Sequence, residues 1–425
     1  MSSSDAPARF LGWRMVALGF LAQNLAIGLT FGSFGVLIKP VAAELHASRA
    51  MASLGIAVIM LLMGVSGPVL GTLLARFPTR RVMSAGALLM AAGFALAASA
   101  GSFTVFLLGY SVIAGAGCAA LGVIPSTSLA SSWFVARAGL AIGLVNLPLL
   151  IAVTPPLVAW IVEAHGWRAA LNVLAAAFVV LLPLLQLVVS RPEDVGQRAL
   201  GGGAVLDTDT DASAAVPPEP AQGFAALVRS PWYWGALLAA GLLSSGGIVL
   251  MSHLVPYATD RGIPTASAAR LLSVNGVFSM AGALVFGHVA DRIGARATLG
   301  LIGLIQALCW SGLILADRFT VFVLLLVGIG MCGGGAHPAF SALLNGAYGR
   351  AAFAHALGLA TLLMLPFTFA AAPLAGWIFD TSGSYVVAFQ VQIAAFLTAA
   401  FVYLAVYRKR PAPPSSAVTH GAGSG

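Results

Sequence analysis

The chain has 425 residues, of which 60% are hydrophobic and only 8% charged, with a mean hydropathy of +0.97 and a formal net charge of +8. Soluble domains carry about 25% charged residues, so the composition excludes a water-soluble globular protein. The basic residues are scattered singly through short polar stretches, which excludes a nucleic-acid surface and fits positive charge retained on one side of a bilayer.

Twelve apolar runs reach the roughly 20 residues that a membrane-crossing helix needs. They are 13–38, 51–75, 82–100, 104–128, 139–163 and 167–190, then 231–257, 268–290, 297–316, 319–345, 354–379 and 385–407. Period-two alternation is missing from all of them, which excludes a β-barrel. The first run is longer than the roughly 7–15 residues of a signal-peptide core, so it is expected to remain as a span. The predicted fold is an all-α membrane protein with twelve transmembrane helices in two pseudo-symmetric six-helix bundles.

Between the sixth and seventh runs lies "GGGAVLDTDTDASAAVPPEPAQ", from Gly201 to Gln222. It offers little that could pack and reads as a flexible linker. The expected division is a first bundle over 1–190, a cytoplasmic linker over 191–230, a second bundle over 231–407 and a disordered cytoplasmic tail over 408–425. Of the 21 Lys and Arg, fifteen fall on the N-terminal side of this scheme and six, including Lys39, Arg49 and Arg168, on the other. Both termini are therefore expected in the cytoplasm, and the site of action in a bacterial inner membrane. Cys118, Cys309 and Cys332 lie in apolar runs without metal-ligand spacing and read as small packing residues. No cofactor or metal is expected, and the chain is expected to work as a monomer.

The halves repeat each other. "GTLLARFPTRR" from Gly71 and "GHVADRIGARA" from Gly287 stand 216 residues apart. "PLVAWIVEAHGW" from Pro156 and "PLAGWIFDTSGS" from Pro373 stand 217 apart, placing Trp160 on Trp377, Glu163 on Asp380 and Gly166 on Gly383. Duplicated bundles of this kind are how many transporters form two bodies that rock about a central site.

The order G-x-x-x-D-R-x-G-x-R after the eighth run resembles the signature loop of the major facilitator superfamily, with Gly287, Asp291, Arg292, Gly294 and Arg296 in place. In the first-half copy Ala75 replaces the acid and Pro78 the glycine. The resemblance implies a gating loop. Asp291 is expected to face the start of span five near Arg137 when the cytoplasmic side closes, because an acid is favoured at a helix N-terminus.

A narrower resemblance is carried by "GWRMVALGF" (Gly12–Phe20), "SSWFVARAGLAIGL" (Ser131–Leu144), "HGWRAAL" (His165–Leu171) and "SHLVPYATDRGI" (Ser252–Ile263). These are similar to the monocarboxylate porters and their bacterial oxalate/formate exchanger-like members. That resemblance implies secondary transport of a small organic anion, often with a proton. Members of that family carry an acid–arginine pair in span eight and often a lysine in span one. Here those places hold Ser279, Ala283 and Gly32, and Lys39 sits near the end of span one.

Polar residues inside spans are costly in a bilayer, so each is satisfied or functional. Asn24 and Thr30 in span one, Asn146 in span five, Asn275 in span eight, and His253 and His337 are the candidate substrate-contacting residues. The plainer role of Asn24 and Asn146 is interhelical bonding, with Asn146 serving backbone freed by Pro148. His253 and His337 are also the candidate proton-coupling groups, because an unperturbed histidine titrates near pH 6.5; otherwise they are packing residues. Pro256 and Pro338 are expected to break the helices that carry these histidines. The glycine runs Ala114–Gly122 and Gly328–Gly335 read as close packing. No nucleotide loop, Ser-His-Asp set or signalling domain accompanies these features, so neither an enzyme nor a sensor is expected. Efflux of apolar or cationic compounds is the alternative transport reading, although span five holds no Gly-Pro pair.

Overall fold

The structure is a computed structural model that describes residues 10–134, 137–200 and 229–405, with the side chains of residues 138–139 and 349–355 left aside. Ten described helices are long and apolar enough to cross a membrane, and a helix pair bent by 52° at Ser66 adds an eleventh. The longest, Leu140–Leu185, contains Gly166 at φ 84°, where the chain reverses, and so counts as two. The twelve spans are numbered α1 to α12. They are α1 (Gly12–Glu44), α2 (Arg49–Val65 with Gly67–Arg76), α3 (Thr79–Ala98), α4 (Phe103–Trp133), α5 (140–165) and α6 (167–185). The second half holds α7 (Pro231–Asp260), α8 (Thr265–Ile293), α9 (Ala295–Leu315), α10 (Phe319–Tyr348), α11 (Ala356–Ser382) and α12 (Val386–Ala405).

The repeat seen in the sequence is a repeat in shape. Gly166 after α5 and Gly383 after α11 both hold positive φ, 84° and 70°, where a side chain would be strained. The halves meet along three helix pairs: α2 with α11, α5 with α8, and α1 with α7. The opposed glycine-rich stretches are packing surfaces, as read from the sequence. A Cβ on Gly334 of α10 would lie 1.8 Å from the Ser279 carbonyl oxygen of α8.

Two local expectations change. Pro256 and Pro338 do not break their helices: α7 is helical through Pro256, and the helix from Phe319 continues through Pro338. Proline lacks only its own N–H, and neighbouring helices supply the contacts that keep such a helix intact in a membrane. Span one carries an irregularity that no proline or glycine pair announces. Asn24–Leu29 form a π-helical turn, and a second lies at Leu108–Ile113 in α4.

Residues 191–200, expected within the linker, pack on the first half. Gln197 Oε1 accepts the Leu11 amide at 3.0 Å, and the Leu200 amide bonds the Trp133 carbonyl at 3.0 Å. The rest of the expected linker, 201–228, and the tail from 406 onward lie outside the described residues.

Candidate functional site

Hydrogen bonds and ion pairs between the two halves gather on one face, opposite the end where α1 begins. There Ser48 caps α2, accepting the Met51 amide at 3.2 Å, and so fixes Arg49 at the helix start. Arg49 reaches into the second half. Its Nη2 lies 2.7 Å from Asp260 Oδ2, its Nη1 donates to Tyr385 Oη at 2.8 Å, and its guanidinium lies 3.8 Å from the Phe379 ring centre. Lys39 Nζ bonds the other oxygen of Asp260 at 2.9 Å and Thr259 Oγ1 at 2.8 Å. One carboxylate thus serves two cations.

Below this cluster His253 is fully buried. Its Nε2 lies 2.9 Å from the Ala372 carbonyl and 3.1 Å from Ser53 Oγ, and its Nδ1 lies 3.0 Å from Tyr385 Oη. A carbonyl only accepts, so Nε2 carries the hydrogen and Nδ1 accepts from the Tyr385 hydroxyl. Ser53 donates to the Arg49 carbonyl at 2.7 Å, leaving its oxygen to share the Nε2 hydrogen. The chain Asp260–Arg49–Tyr385–His253–Ser53 therefore crosses three times between the halves. Lys39, Arg49, His253, Pro256 and Tyr385 line a cavity of about 250 Å³ beside it.

The other predicted residues are spread out. Asn24 donates to the Phe20 and Leu147 carbonyls at 3.1 and 2.9 Å and accepts the Leu150 amide at 3.0 Å. Both its amide hydrogens and its oxygen are engaged. Asn146 accepts from Gln23 Nε2 at 2.9 Å and donates to Thr127 Oγ1 and the Ile142 carbonyl. These residues tie α1 to the interruption of α5 between Val145 and Leu149. Thr30 and Asn275 differ, because Thr30 Oγ1 and Asn275 Oδ1 are buried without a hydrogen-bond partner, as is Gln23 Oε1. His337 is exposed on α10 beside a small cavity that Ser244 and Met364 also line.

On the opposite face Asp291, Arg292 and Arg137 are all exposed, and among the described residues no ion pair joins Asp291 to Arg137. Gly294 adopts φ 86° between α8 and α9, a conformation that explains the glycine in the signature loop; Arg296 Nη1 donates to the Leu404 carbonyl at 3.4 Å.

Sequence reasoning found His253 but missed Ser53, Arg49, Asp260 and Tyr385 around it. All but Ser53 stand at helix ends or in turns, where charge and hydroxyls are ordinary. The available signal was Asp260, seven residues and thus about two turns after His253 on the same helix.

Twelve spans in two repeated bundles, joined along three helix pairs and sealed on one face, define a membrane transporter. The chain belongs to the Major Facilitator Superfamily, whose pattern it matches over residues 20–316 and 257–423. Within it the chain is similar to monocarboxylate transporter 11 of Homo sapiens, 27% identical over 94% of this chain and 84% of the relative. Monocarboxylate transporter 13 of Bos taurus is 29% identical over 93% and 89%. These relatives are transporters, not enzymes. Solved structures share the fold: a bacterial homologue of the lysosomal transporter Spinster superposes with a TM-score of 0.69 at 16% identity, covering 94% of this chain and 97% of that one. A nucleoside transporter superposes with a TM-score of 0.73 at 12% identity, covering 94% and 100%.

Proposed function

We propose that this transporter carries a small, monocarboxylate-like organic anion across a bacterial cytoplasmic membrane by alternating access, as a monomer and together with a proton. The observation that carries this reading is His253, a buried imidazole on the seam between the halves, bonded to Ser53 on one side and to Ala372 and Tyr385 on the other. A proton added at Nδ1 removes the acceptor that the Tyr385 hydroxyl uses. Protonation therefore turns the Tyr385 hydroxyl, which also accepts from Arg49 of the first half, and acts on the closed face through that bond. The titratable and charged groups around it are Arg49, Lys39, Asp260, Tyr385 and Asp380, and none of the carboxylates touches the ring. The substrate class is supported by what the relatives are called and by the cationic pair Lys39 and Arg49 near the same seam.

In this reading the Lys/Arg tally makes the sealed face external and puts both termini inside. Thr30, Asn275 and His337 are the groups that contact the substrate, Thr30 through its hydroxyl hydrogen and Asn275 through its amide N–H, since an amide oxygen cannot bind an anion. Asn24 and Asn146 hold the helices that frame it. Asp291, Arg292, Gly294 and Arg296 form the inner gate, and Asp291 meets Arg137 only when that gate closes.

The test is uptake by vesicles containing the purified protein, with lactate, pyruvate, formate and oxalate as probes. Uptake of at least one should rise as the pH outside the sealed face falls, and His253→Gln should flatten that rise in a protein that still folds. Export of cationic dyes with no uptake of any anion would replace this reading with efflux.

A further inference from the structure

The repeated pattern Trp-x-x-acid, Trp160 with Glu163 and Trp377 with Asp380, has no part in substrate or proton handling. The structure gives the two acids equivalent partners. Asp380, in the last turn of α11, accepts the Arg49 amide on Oδ1 at 3.0 Å and the Ala50 amide on Oδ2 at 2.9 Å. Glu163, near the end of α5, accepts the Ala266 amide on Oε1 at 3.0 Å. Ala50 and Ala266 are themselves 216 residues apart, in the first turns of α2 and α8. Each acid therefore crosses the seam to cap a helix of the other half.

The first amides of a helix have no partner within it, and the helix start carries partial positive charge. Neither α2 nor α8 has an acidic residue in its own first turn. Each receives its negative charge from the opposite bundle instead. The fit is close at α11: a Cβ on Gly376 would lie 2.7 Å from the Ala50 nitrogen, so the helix end approaches this near only as glycine. The two caps are unequal. Asp380 makes two bonds, beside the Arg49 guanidinium held by Tyr385 and Asp260, whereas Glu163 makes one.

We propose that Glu163 and Asp380 are positioning residues of the sealed-face gate, two crossed caps that exist only while that face is closed and so set the balance between the two access states. This rests on the alternating-access reading above and adds the groups that bias it. Both carboxylates are exposed, so each should change that balance modestly, by roughly two- to fivefold.

The test is the distance between spin-label pairs in the purified full chain without substrate. One pair, at His46 and Thr381, reports the sealed face, and the other, at Leu140 and Ile293, the opposite face. Asp380→Asn, which keeps the shape, should raise the population of the longer sealed-face distance severalfold and that of the shorter opposite-face distance with it. Glu163→Gln should do the same to a smaller extent, and the double variant should show the product of the two effects. Asp380→Ala removes both bonds and should exceed Asp380→Asn. Unchanged distances on both faces in Asp380→Ala and in the double variant overturn the proposal. Lengthening on both faces at once also overturns it, because that is general loosening and not a shift between states. Since no anion is present, a chain that changes faces but carries no organic acid still shows the shift, which separates this result from failure of the substrate reading.

Discussion

The two halves solve the same problem differently at α5 and α11. Each of these spans is interrupted at a Leu-x-x-Leu-Pro, "LVNLP" ending at Pro148 and "LLMLP" ending at Pro366. In α5 three residues leave the helix, and the Leu150 amide and Leu147 carbonyl are met by Asn24 from α1. In α11 only Met364 departs, and its own carbonyl takes the Phe367 and Thr368 amides at 3.1 and 3.2 Å. The facing position on α7, 217 residues after Asn24, is Gly241, where a Cβ would lie 2.6 Å from the Phe367 ring. A wide break requires an amide from the next helix, and a tight one leaves room for a ring to seat in a glycine notch. After duplication, the same junction is directional in one half and merely apolar in the other.

This comparison can be broken experimentally. The largest effect is expected for Asn24→Ala, which strands the Leu147 and Leu150 backbone groups. Interhelical bonds in membranes contribute about 0.6–1.7 kcal/mol each, so a loss of about 2–3 kcal/mol should appear as a clear drop in thermal stability in detergent. A change within error would mean that these groups find other partners. Gly241→Ala should cost less, about 2 kcal/mol, because the Phe367 ring must move to admit a methyl group. Here the decisive control is Gly241→Ala with Phe367→Leu, which should recover most of the loss; no recovery would deny the notch its role. The smallest effect, about 1 kcal/mol, is expected for Asn146→Met. It places the second-half residue in the first-half break and removes contacts to Gln23, Thr127 and the Ile142 carbonyl, while Asn24 keeps the backbone capped. A loss equal to that of Asn24→Ala would show that the three amides act as one unit.

The fold was legible because membranes leave few options. Run length and two repeated motifs specify twelve spans in two related halves, and Gly294 occupies the turn that its motif implied, while Gly166 and Gly383, matched only as a repeat, prove to be turns as well. The candidate site was legible only in part. A polar residue inside an apolar run announces itself, so His253, Asn24 and Asn146 stood out. Which of them is free does not follow from the run, because that depends on a neighbour more than 120 residues away. Arg49, Asp260 and Tyr385 were invisible for the opposite reason: at span ends, charge is the norm, and only folding brings them around one imidazole. Proline was misleading at positions 256 and 338, where the surrounding helices keep the span continuous.

The exposed pair Trp160 and Trp377 carries a further consequence. Tryptophan gathers at the headgroup level of a bilayer, and these two stand at matched places on α5 and α11, 63% and 57% exposed. Glu163 and Asp380 follow three residues later, about 4.5 Å further along each helix. With the rings at that level, the capping acids fall just beyond it, toward the headgroup zone and away from hydrocarbon. Carboxylates at that depth escape the heavy cost of charge in the acyl region. They also place the seal where lipid headgroups, their charge and the thickness of the surrounding leaflet can reach it.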